Sequence, residues 1–72
     1  MILEQAQALA ASIKREVPEA ATTVQADVTS EGKYSNSFHV EVHVPNVIQM
    51  AIKSPEQWNE RKHLVQKYDR KE

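Results

Sequence analysis

The chain has 72 residues, nine Lys plus Arg against ten Asp plus Glu, a single glycine and no cysteine. That length holds one domain, residues 1–72, and buries only about 60% of the unfolded surface, so a partner chain is an expected source of stability. Without cysteine there is no disulfide, thiolate metal site or cysteine nucleophile, and Gly32 alone furnishes neither a P-loop nor a dinucleotide fingerprint.

From the N-terminus, Ile2, Ala6, Leu9, Ile13 and Val17 recur at steps of four, three, four and four. That is one apolar stripe of a helix. Ala6, Ala8, Ala10 and Ala11 add helix propensity, and Pro18 ends the ladder near Glu16. The period then changes to two. Val24, Ala26 and Val28 alternate with Thr23, Gln25, Asp27 and Thr29, and Phe38, Val40, Val42 and Val44 alternate with Ser37, His39, Glu41 and His43. Ser30, Glu31 and Gly32 read as a three-residue hairpin loop that pairs Thr29 with Lys33 and Val28 with Tyr34. Continued without interruption, this register sets Val24 opposite Phe38 and Thr23 opposite His39 but leaves Asn36 on the core face, so a longer loop through Tyr34 and Asn36 is the alternative.

Pro45 closes the second strand, and Asn46 reads as the cap of a short helix over Val47–Lys53 with Val47, Ile48, Ala51 and Ile52 inward. Ser54, Pro55 and Gln57 then form a capping box with proline at the first helical position. The last helix carries Trp58, Arg61, Val65 and Tyr68 on one stripe and runs to about Arg70. The expected fold class is therefore α+β: a small two-layer domain in the order helix, strand, strand, short helix, helix, its antiparallel hairpin covered on one face by helices. The opposite face and both edges of the hairpin stay open.

The longest uncharged stretch, Val42–Ile52, is eleven residues and contains Pro45, far short of the ~20 apolar residues of a membrane-spanning helix. No cationic segment precedes an apolar one at the N-terminus, so the expected location is the cytoplasm and no membrane partner is expected.

His39, Glu41 and His43 form a His-x-Glu-x-His run along one strand face, which Asp27 or His63 could in principle complete as a metal site. Three residues spread over roughly 13 Å do not reach one ion, so the expectation is a solvated polar face, no metal and no cofactor. The serines fill cap, turn and strand roles, none has the flanking glycines of a nucleophile elbow, and no catalytic residue is expected. Charge is uneven. Residues 1–52 carry three cations and six anions, residues 53–72 six cations and four anions. Arg61, Lys62, Lys67, Arg70 and Lys71 are the only nucleic-acid signal, diluted by interleaved carboxylates. The double-stranded-RNA-binding domain also opens and closes with a helix, but it has a third strand that this reading lacks.

The expected function is that of a non-enzymatic protein-binding or self-associating domain, a homodimer or the partner of another protein, acting through the exposed hairpin edge or face. Tyr34, His39, Glu41, His43, Arg61 and Lys62 are its candidate binding residues. The alternative is a nucleic-acid-binding module using the basic C-terminal helix.

Overall fold

A computed structural model describes residues 1–67. Its elements are α1 (Leu3–Glu16), β1 (Ala21–Val28), β2 (Tyr34–Val44), β3 (Ile48–Ile52) and α2 (Pro55–Gln66). The three strands form one antiparallel sheet in the order β1-β2-β3. Both helices cover the same face, which makes this a two-layer α+β domain.

The apolar stripe of α1 is buried from Ala6 onward, with Leu9 and Ile13, and Val17 and Ala20 continue the core past the helix end; Ile2, expected to open the stripe, precedes the helix and is 59% exposed. Lys14 folds over that end and donates from Nζ to the Pro18 and Ala20 carbonyls at 2.9 and 2.8 Å. A cation there also complements the negative end of the helix dipole. On the sheet, Val40, Val42 and Ile52 are fully buried, and Trp58 and Val65 of α2 close the core. No polar or charged side chain is buried with them among the described residues.

The α2 start follows the sequence signal. Ser54 Oγ accepts from the Gln57 N–H at 3.1 Å, and Gln57 Oε1 accepts from the Lys53 N–H at 2.8 Å, one residue before the usual capping-box donor. Tyr68 and Arg70 lie outside the described residues.

The segment expected as a short helix is a strand. Pro45 and Asn46 are the centre of a turn closed by the Val47 N–H on the Val44 carbonyl at 3.0 Å, with Asn46 at φ 63°. Proline followed by a residue of positive φ is the form of a type II turn, and asparagine tolerates that conformation better than other residues with a Cβ. The chain therefore doubles back. Ile48, Met50 and Ile52 face the helices and Gln49 and Ala51 the open side, so Ala51 does not point inward as expected. Its pairing with Glu41 puts it on the polar face.

The hairpin register is also corrected. Thr29 donates to Lys33 and Val28 pairs with Tyr34, as the loop requires. Beyond them the register shifts by two: Ala26 pairs with Phe38, Val24 with Val40 and Thr23 with Glu41. Ser35, Asn36 and Ser37 thus stand against Asp27 alone. This bulge takes Asn36 out of the ladder and removes the conflict that an uninterrupted register created. An insertion of two residues preserves the alternation of faces along β2, which a slip of one residue would invert.

With β3 in place, β2 is the central strand, and the expectation that both hairpin edges stay open fails for it. Beyond the reach of β3, the Met1 nitrogen donates to the Phe38 carbonyl at 3.2 Å and the Met1 carbonyl accepts from the Phe38 N–H at 2.8 Å. The edges of the described sheet are β1 and β3.

Candidate functional site

Two surfaces stand out, both on or beside β1. The first is the open face of the sheet, where odd-numbered residues of the three strands gather. His39 sits between two carboxylates: its Nδ1 is 2.5 Å from Asp27 Oδ1 and its Nε2 2.9 Å from Glu41 Oε2. Its side chain is only 13% exposed. Ala51 and Lys53 of the β3 side and Gln25 of β1 join these three around an open concavity of about 590 Å³.

A neutral imidazole has one N–H and can donate to one of two carboxylates; only the imidazolium donates to both. The arrangement ties charge to the crossing from β1 to β2. The hydrogen bond from His39 holds the Asp27 carboxyl below the usual carboxylate range, against an opposing effect of burial and with help from the Ser37 hydroxyl and the charges of His39 and Lys53. This is a correction to the solvated face expected for His39 and Glu41. Both ring nitrogens are turned to carboxylates, whereas a ligating histidine aims one at the metal. Among the described residues no group of three or more His, Asp or Glu has the geometry to hold a metal ion.

The remaining candidates do not join this cluster. His43 is exposed at the far end of the face, paired with Ala21 and Gln49. Arg61 is exposed on α2, beneath the other face. Lys62 is half-buried there, its Nζ 3.9 Å from Glu16 Oε1 on α1. His63, on the same helix, cannot complete a site with His39. In the sequence Asp27 is only one possible neighbour of the histidines; its pairing with His39 depends on the bulge, for which the sequence offers no marker beyond the misplaced Asn36. Lys53 and Gln25 enter the face through β3 and the shifted register.

The second surface is the outer edge of β1, with the hairpin tip beside it. Thr29 donates across to Lys33, so along β1 the odd-numbered residues turn their backbone groups toward β2. Phe38 confirms the phase from the other side: its N–H and carbonyl both bond to Met1, so its cross-strand partner Ala26 turns its own groups outward. Thr22, Val24, Ala26 and Val28 therefore present N–H and C=O to the outside of the sheet, and no described strand lies beyond them. Asp27 is the sole formal charge in this strand. At the tip, Val28 is 58% and Tyr34 82% exposed, an apolar cross-strand pair left uncovered by the helices.

No family model, curated protein or solved structure matches the chain. No helix among the described residues is long and apolar enough to cross a membrane.

Proposed function

We propose that the domain is a non-enzymatic binding module that works by strand addition at β1, with a second copy of the same chain as its simplest partner. The supporting observation is the outward set of backbone groups at Thr22, Val24, Ala26 and Val28 on an eight-residue edge strand. Natural sheets protect such edges with lysine, proline, inward charges or a covering element, and β1 has only Asp27, which is already engaged by His39. Strand addition satisfies these groups with main-chain hydrogen bonds and needs no catalytic residue. β3, the other edge, is shorter at five residues and joins α2 closely through Lys53 and Ser54.

Proline tests this directly. At Thr22 the N–H points outward, so Thr22→Pro removes a donor to a partner and leaves the ladder to β2 whole. At Thr23 the N–H points to β2, so Thr23→Pro breaks the domain's own sheet. Sedimentation velocity at ~100 µM should give a dimer mass for the wild type and a folded monomer for Thr22→Pro, with Thr23→Pro lowering the melting temperature. A wild-type chain of strictly monomeric mass would defeat self-association.

One observation favours a second reading, nucleic-acid binding. The third strand removes the reason for setting aside the double-stranded-RNA-binding domain: the element order is now α-β-β-β-α. Such domains recognise duplex RNA largely by shape and phosphate contact, which calls for cations grouped on one surface. Here Lys62 approaches Glu16, and Lys53 lies on the opposite face near Asp27. If this reading holds, a short RNA duplex should bind at low salt, lose affinity steeply as salt rises, and bind Arg61→Ala less well. No shift of the duplex at low salt would remove it.

A further inference from the structure

We propose that two copies pair antiparallel through β1 about a two-fold axis at Gln25, and that this register brings the Val28 and Tyr34 tip of each copy against the end of the other copy's α1. The inference rests on the strand-addition reading and specifies its partner and geometry.

The register follows from which groups are free. Directly opposed residues in an antiparallel pair point to the same face, so copies joined this way keep their helices on one side. The outward residues of β1 are the even-numbered ones, and they must meet even-numbered residues. An axis at Val24 pairs Thr22 with Ala26 but sets Val28 against Ala20. The groups of Ala20 are already used: its N–H donates to the Val17 carbonyl at 3.0 Å, and its own carbonyl accepts from Lys14 Nζ at 2.8 Å. An axis at Gln25 instead pairs Val24 with Ala26 and Thr22 with Val28, and engages all four outward residues of each strand.

Side chains agree with this choice. On the helix face, Val24 meets the smaller Ala26, and Thr22 meets Val28, of nearly equal size. On the open face, Asp27 stands opposite Thr23 of the partner subunit and Gln25 opposite its own copy. No like charges are opposed, the arrangement that most weakens cross-strand pairing. The tip supplies the second part of the contact. Val28 comes to lie opposite Thr22 of the partner subunit, where that chain has just left α1 through Val17–Ala20. Tyr34 pairs with Val28 on the same face. The apolar pair that one copy leaves exposed is thus set beside the C-terminal turn of α1 in the other. Tyrosine is well suited to such a position, being large, amphipathic and frequent among residues that dominate interface energies.

The chain has no cysteine, so cross-linking can read the register without background. In a Gln25-centred pair, the Gln25 residues form a non-hydrogen-bonded pair about 4.5 Å apart at Cα, within disulfide range. Mild oxidation of the full chain carrying Gln25→Cys should yield a covalent dimer in high proportion, whereas Thr23→Cys, opposite Asp27 rather than itself, should not. Sedimentation equilibrium of Tyr34→Ser should show dimerisation weakened by at least about tenfold, with the melting temperature of the dilute monomer unchanged. A wild-type dimer in which Thr23→Cys cross-links and Gln25→Cys does not would overturn the register while leaving strand addition intact. Unchanged dimerisation of Tyr34→Ser would overturn the tip contact, and a wild type monomeric throughout would overturn strand addition by a second copy together with this inference.

Discussion

β2 takes part in two hairpins built on different terms. With β3 it forms five uninterrupted pairs from Val40–Ile52 to Val44–Ile48, and Val40, Val42 and Ile52 in that stretch are fully buried. With β1 it reaches further, passes through a bulge that sets three residues against one, and ends on Val28 and Tyr34, both exposed. In the first hairpin, burial holds the register, because a slip of one residue would move Val40, Val42 and Ile52 into water. At the tip of the second no such penalty exists. There the register is held by local polar contacts: Thr29 Oγ1 accepts from the N–H groups of Glu31 and Lys33, and Ser35 Oγ donates to the Asp27 carbonyl while accepting from the Ser37 N–H. Packing secures one end of the sheet, and side-chain hydrogen bonds shape the other.

The largest expected difference is between a truncation in the core and one at the tip. Ile52→Ala should cost ~2–5 kcal/mol, enough to unfold much of a domain this small, whereas Val28→Ala at the exposed tip should change stability by no more than ~0.5 kcal/mol. Urea midpoints of the two variants measure the contrast directly, and equal losses would mean that the tip is packed as tightly as the core.

The two turns sharpen the same comparison. Gly32 at φ 83° and Asn46 at φ 63° both occupy the left-handed region. A Cβ at Gly32 meets nothing within 4 Å, so Gly32→Ala should cost ~1–2 kcal/mol through backbone strain alone. Asn46→Ala should lose a similar amount, and Asn46→Gly should stay close to the wild type. Denaturation of all three would separate strain from packing, since a loss in Asn46→Gly equal to that in Asn46→Ala would assign the effect to the asparagine side chain instead.

Replacing the α2 cap, Ser54→Ala, should cost ~1 kcal/mol because the Gln57 N–H loses its acceptor at the helix start. The loss should appear as a lower melting temperature together with faster hydrogen exchange in the first turn of α2.

The smallest effect concerns acid. Because the folded-state carboxyl of Asp27 titrates below its ordinary value of 3.8, its contribution is fully present above that value and is lost as the pH falls through the lower, folded value. Urea midpoints of the wild type should therefore fall more steeply as the pH drops below 3.8 than those of Asp27→Asn. Parallel acid limbs in the two proteins would separate Asp27 from the stability of the hairpin.

What the sequence discloses follows the same division. The period of α1, the Ser54 cap, the Gly32 loop and the alternating faces of β1 and β2 are local signals, and each is realised. β3 is not legible because its cues serve two structures: Pro45 and Asn46 can end a strand ahead of a helix or make a tight turn. Five residues with Ile48 and Ile52 four apart fit either a helical face or a strand. The choice is made by β2, which offers Val40, Val42 and Val44 as a surface to extend. The His39 clamp is hidden for a related reason, since it needs Asp27 and His39 diagonal to each other, and the bulge sets that relation.

The bulge also divides the chain into parts that differ in how they would absorb a change of length. Because it stores two residues of β2, excising a neighbouring pair such as Ser35 and Asn36 would return the ladder to even spacing and leave Phe38, Val40 and Val42 facing the helices. Excising one residue would leave two opposite Asp27, an ordinary bulge; only if the ladder closed without that bulge would the later side chains of β2 turn over and carry its valines into water. A regular ladder is therefore recovered only by a change of two, a change of one is absorbed as a bulge, and the segment from Ser35 to Ser37 is where the fold can be lengthened or trimmed without rewriting its core.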